Sequence, residues 1–115
     1  MNFKFYGIHI IAELYEINNH KFTNKEKIIS AVELGIKKSG ATLIKTLYYS
    51  FENGGFSLLS LLKESHVSLH AYSEYSSIFM DVFTCGKING LIIVDEINKY
   101  FSPKRTIINT IERGH

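Results

Sequence analysis

Along residues 3–14 apolar and polar side chains alternate loosely and Phe, Tyr and Ile are frequent, which predicts a β-strand buried on part of both faces. The period then lengthens. In "KEKIISAVELGIKKSG", Ile28, Ile29, Val32 and Ile36 recur at helical spacing, with Thr23 or Asn24 placed to cap the start and Gly40 to end the helix. Beyond it the strand period returns in 41–51, 56–63, 66–72 and 77–85, separated by the turn "ENGG" at 52–55 and the loop "SEYS" at 73–76. Connections this short join antiparallel neighbours, so these four strands form a meander. Segment 89–101, "NGLIIVDEINKYF", carries Ile93, Ile97, Tyr100 and Phe101 along one side, acidic residues near its start and Pro103 just beyond. That is the profile of a second amphipathic helix. "KRTIINTIERG", 104–114, closes the chain as a last strand.

The order strand, helix, four strands, helix, strand predicts an α+β fold, a two-layer sandwich with an antiparallel sheet and both helices packed on one face. The other face of such a sheet lacks a cover. Because Leu58, Leu59, Leu61, Leu62 and Phe79, Met80, Val82, Phe83 are apolar on both sides of their strands, a partner is expected there, most simply a second copy.

Composition narrows the picture. With 115 residues, 45% hydrophobic and 21% charged, residues 1–115 read as a single domain with one core. The net charge of +2 arises from cations dispersed among anions, without the basic stripe that neutralises phosphates, so nucleic acid is not an expected partner. The first residues contain only short apolar runs broken by Lys4, His9 and Glu13, which fits neither a signal peptide nor a membrane span. A cytoplasmic location is expected. The single Cys85 agrees with a reducing compartment and leaves a free thiol to explain.

The candidate chemistry lies in "KESHVSLHAYSEYSSIFMDVFTCG", 63–86. On a strand, His66, Ser68 and His70 share one face and Val67, Leu69 and Ala71 the other. His66 and His70 are separated by roughly 13 Å, at about 3.3 Å per residue, too far to bind one ion together, so no metal site is expected. Cys85 ends one strand and His70 ends its hairpin neighbour, which suggests a Cys–His pair. The bland alternative is a small buried thiol and a satisfied polar histidine.

The spacing of "ESH" at 64–66, His70 and Cys85 resembles the signature of the prokaryotic S-adenosylmethionine decarboxylases. "GIH" at 7–9 followed by "AELY", "SGAT" after the first helix, "GGFS" at 54–57 and the terminal "IERG" extend the likeness over nearly the whole chain. Members of that family are proenzymes that cut themselves. The resemblance implies that Ser65 attacks the carbonyl of Glu64, giving chains 1–64 and 65–115, the second beginning with a pyruvoyl group derived from Ser65. It implies a Schiff base between that group and the substrate amine, decarboxylation of S-adenosylmethionine, and an aminopropyl donor for spermidine synthesis.

By the same likeness His70 moves the proton during ester breakdown, Ser57 assists processing and Cys85 returns a proton after decarboxylation. Phe51 and Val67 would hold the adenine and Glu74 the ribose hydroxyls, and two protomers would pair as a homodimer with sites near the interface. Relatives carry a Pro-Glu in the loop after the histidine strand, where this chain has Ser73-Glu74. That departure leaves a pyruvoyl-dependent decarboxylase of arginine or ornithine as an alternative, and a non-catalytic, unprocessed relative as another.

Overall fold

The computed structural model describes residues 5–114, so residues 3 and 4 of the expected first strand lie outside the described residues. In chain order the elements are β1 (Tyr6–Tyr15), α1 (Lys25–Ser39), β2 (Leu43–Ser50), β3 (Phe56–Leu62), β4 (Ser65–Tyr72), β5 (Ser77–Cys85), α2 (Gly90–Phe101) and β6 (Arg105–Gly114). Short 3-10 turns occupy Asn19–Phe22 and Ser73–Tyr75, the second within the expected loop. The strands form one antiparallel sheet in the order β2-β3-β4-β5-β1-β6. The meander therefore runs unbroken from β2 to β5, and β1 lies between β5 and β6.

Local chemistry sets the boundaries. Asn24 caps α1, its side chain accepting from the Lys27 amide at 3.0 Å, and Gly40 ends the helix at φ 90, a left-handed conformation that costs glycine little. The corresponding cap of α2 is Asn89, accepting from Leu91 N at 3.1 Å. Asp95 and Glu96 fall in the middle of α2 and its first turn contains no acid, so the expected complement to the helix dipole is absent there. Glu96 instead accepts from Lys38 at 2.9 Å and ties α2 to α1.

Ile28, Val32 and Ile36 of α1 and Ile93, Ile97 and Phe101 of α2 are buried against the same sheet face, over Ile10, Leu14, Leu58, Leu69, Ile78 and Val82. Full burial of one such side chain contributes about 1.5–3 kcal/mol. Gly35 lets the helices approach, since a Cβ there would meet Ile93 Cα at 3.0 Å. Among the described residues nothing covers the other face: Leu47, Leu59, Leu61, Phe79, Ile11 and Ile111 are all substantially exposed. Among the described residues no helix is long and apolar enough to cross a membrane.

A candidate active site divided between two ends of the sheet

The β3–β4 hairpin turns through Lys63 and Glu64 alone, because Leu62 pairs with Ser65. Glu64 takes φ 68, in the left-handed region that a residue with a Cβ enters at a cost of about 1–3 kcal/mol. Strain is thus held in the residue whose carbonyl precedes Ser65. The β4–β5 register pairs His66 with Phe83, so Cys85 lies opposite Glu64. Its thiol donates to the Glu64 carbonyl oxygen at 3.4 Å, and a hollow of about 260 Å³ opens beside this bond, lined in part by Gly40, Thr42, Lys63, Ser65, Cys85 and Ile88.

The same register overturns the expected Cys85–His70 pair. His70 pairs with Phe79 on one side and with Ser57 on the other, at the opposite end of β4. Five residues of strand separate Ser65 from His70, roughly 16 Å at about 3.3 Å each. Here Ser57 Oγ and His70 Nδ1 share a hydrogen bond of 2.9 Å. Glu74, on the 3-10 turn that follows β4, accepts from Asn53 Nδ2 at 3.2 Å, and Ser73 Oγ donates to Asn53 O at 2.8 Å. These bonds join the 73–75 turn to the β2–β3 turn, where Phe51 is 46% exposed and packs its edge on Tyr49. A neighbouring hollow of about 330 Å³ is walled by Tyr15, Tyr72, Tyr75 and Phe79, an aromatic surface the sequence reading did not single out.

Ser57, His70, Phe79 and Cys85 all belong to the uncovered face. Val67 does not. It is fully buried against the helices, on the opposite side of β4 from His66 and His70, so its side chain packs in the core.

Between the two ends lies a cluster that sequence reasoning missed. Asp81 Oδ2 accepts from His9 Nε2 at 2.6 Å and from His66 Nε2 at 2.8 Å, while Ser68 Oγ donates to Asp81 Oδ1. Partial burial pushes the Asp81 carboxyl up, but these bonds outweigh it and hold the group below the usual carboxylate range. The His9, His66 and Asp81 ligand atoms lie within 4.8 Å of one another, close enough to suggest a cation site. Arg113 argues otherwise. Its Nη1 lies 3.3 Å from His9 Nδ1, and a guanidinium can only donate, so the His9 proton resides on Nε2 and points at Asp81. The group is a hydrogen-bonded network facing a fixed positive charge. Its signal in the sequence was Asp81 itself, a charge at the centre of an apolar strand.

The S-adenosylmethionine decarboxylase family model matches residues 8–114. The S-adenosylmethionine decarboxylase proenzyme of Picrophilus torridus is 36% identical over 109 residues, covering 94% of this chain and 84% of that protein. The proenzyme of Aquifex aeolicus is 35% identical over 109 residues, 94% of this chain and 81% of its own length. A crystal structure of the adenosylmethionine decarboxylase from Aquifex aeolicus superposes with a TM-score of 0.86 at 33% identity, over 98% of this chain and 94% of that one.

Proposed function

This chain belongs to the S-adenosylmethionine decarboxylase family, and we propose that it is a self-processing, pyruvoyl-dependent decarboxylase of S-adenosylmethionine. The observation that carries the reading is the Glu64–Ser65 bond itself: a peptide that follows a left-handed glutamate, with the Cys85 thiol on its carbonyl.

Ser65 Oγ attacks the Glu64 carbonyl carbon, an ester replaces the amide, and the Ser65 nitrogen is freed. Loss of the Ser65 α-proton then expels Glu64 as a carboxylate. Residue 65 is left as a dehydroalanine, which water converts to a pyruvoyl ketone with release of ammonia. Relief of the φ 68 conformation at Glu64 favours the first step. His70, held by Ser57, is the base that moves the proton.

The residues present fit the resulting group, since position 65 borders a hollow and Cys85 stands beside it. A pyruvoyl ketone supplies the electrophilic carbonyl that no side chain offers, engaging the substrate amine and accepting the electron pair left by carbon dioxide. Cys85 protonates the carbon that loses the carboxylate. Phe51 stacks on the adenine and Glu74 accepts from the ribose hydroxyls, while Val67 contributes through packing beneath the site.

His70 and Ser57 stand too far from Ser65 of their own chain to act on it. They serve the neighbouring copy. A two-fold axis through the uncovered face pairs each Ser65 end with the partner's His70 end, completes two sites and buries Leu47, Leu59, Leu61 and Ile111. The product is the aminopropyl donor of spermidine synthesis, made in the cytoplasm.

A denaturing intact-mass spectrum tests the reading. Two chains are expected, the second lighter by one ammonia than a serine-initiated fragment. A single uncut chain would make it a non-catalytic relative. Carbon dioxide release from arginine or ornithine, with none from S-adenosylmethionine, would reassign the substrate.

A further inference from the structure

Cutting the Glu64–Ser65 bond severs the β3–β4 hairpin at its turn and makes residue 65 a chain terminus, the part of a strand most prone to fray. Catalysis then needs that terminus held beside Cys85 by non-covalent contacts. The ladder offers little at the tip, because residue 65 pairs with Leu62 of β3, whose own end has been released, and the β4–β5 register begins only at His66–Phe83.

The side chains supply what the backbone lacks. One carboxylate, Asp81 on the central strand β5, accepts from both His66 and Ser68, the first two β4 side chains on the uncovered face. It is itself fixed from the far side, where His9 of β1 donates to Oδ2 and Arg113 of β6 orients His9. Phe83 completes the seat, its ring 6.2 Å from that of His66 and 5.5 Å from that of His9. Gly7 makes room for that ring, since a Cβ there would lie 2.7 Å from its edge. None of these groups is part of the bond that breaks, so the grip survives cleavage.

We infer that Asp81 is the positioning residue that keeps the new N-terminus of β4 in reach of Cys85 after processing, an inference that rests on the self-cleavage proposed above. Asp81 acts through His66 and Ser68 and does not touch the reacting atoms.

The test compares wild type, Asp81→Ala, Asp81→Asn and His66→Ala, each made twice, once with Ser65 intact and once with Ser65→Ala to keep the hairpin closed. Intact mass reports cleavage, carbon dioxide release reports kcat and KM, and amide hydrogen exchange reports the order of residues 66–68. Asp81→Ala is expected to cut like wild type and then lose about 100-fold in kcat with KM changed less than about threefold, the scale of loss for an ångström of misplacement. Exchange at 66–68 rises at least about tenfold in the cut protein and stays near wild type in the uncut one, because only the cut strand depends on the clamp. Asp81→Asn, which keeps an acceptor oxygen, recovers most of the loss. His66→Ala moves the same readouts in the same direction and carries the comparison should Asp81→Ala not fold.

An equal rise in exchange in cut and uncut proteins would reduce Asp81 to general stability and overturn the inference. So would unchanged kcat, or a failure of both variants to cleave. A wild type that stays uncut is seen in the first spectrum and overturns the self-cleavage reading itself.

Discussion

The two ends of β4 are built on opposite physical terms. At the Ser65 end the backbone is strained at Glu64 and the Glu64 carbonyl accepts a weak thiol bond of 3.4 Å. At the His70 end the groups are mutually satisfied: Ser57 holds His70 at 2.9 Å, and Asn53 holds Glu74 at 3.2 Å. A bond that must break gains from being raised in energy, whereas groups that move protons or grip a substrate gain from being fixed in advance. One chain keeps the two apart, and the proposed dimer would join them through a second copy.

The sharpest way to break this contrast is to separate the ends genetically. Ser65→Ala and His70→Ala proteins, each alone, are expected to show no pyruvoyl-dependent activity, the first for want of the precursor and the second with processing slowed by about 100-fold or more. Co-expressed, they form mixed dimers in which an intact Ser65 faces an intact His70, and cleaved chain with decarboxylase activity returns. Absence of recovery in co-purified dimers would place each His70 with its own Ser65.

Cys85→Ala probes the strained end after the cut. Cleavage is expected to go to completion while kcat falls about 100-fold, as for loss of a general acid. A block in cleavage instead, read by intact mass, would move the thiol from decarboxylation to processing.

Glu64→Gly removes the strain directly. Glycine adopts φ 68 freely, so in a Ser65→Ala background the uncut protein should gain about 1 kcal/mol in denaturant unfolding. With Ser65 restored, cleavage should slow by the corresponding factor of about five.

The smallest effect concerns the network between the ends. Asp81 has a folded pKa below its unfolded value, held there against burial by Ser68, His9 and His66. Its contribution to stability is therefore fully present above the ordinary carboxylate pKa and is lost as pH falls through the depressed folded value. Acid unfolding of the Ser65→Ala protein should become shallower in that window when Asp81→Asn is added. An unchanged acid limb would show that Asp81 is not held in the charged form by folding.

How far the sequence reveals this molecule depends on how local each feature is. Asn24 and Gly40 bound α1 because a cap needs only the adjacent amides, and the burial of Ile93, Ile97 and Phe101 follows from the helical repeat. The site was legible in part. The spacing singled out Glu64 and Cys85, which the fold brings together, whereas the expected pairing of Cys85 with His70 does not form. Its correction was within reach: with Tyr72 opposite Ser77 across the 73–76 turn, counting back along both strands sets Cys85 against Glu64. Strand alternation sets Val67 on the face opposite His66 and His70, and the structure shows that face to be the buried one.

Propensity, period and capping act over a few residues, so the elements, their amphipathic faces and the residue types of the candidate site can be read along the chain. The position of β1 against β5 cannot be read that way. That placement brings His9 to Asp81 across 72 positions of chain, while the β4 and β5 registers leave Cys85 and His70 at opposite ends of the sheet. Strand alternation says which side a residue faces, but not which strand will lie beside it. Strand order is settled by the packing of the whole sheet against its helices.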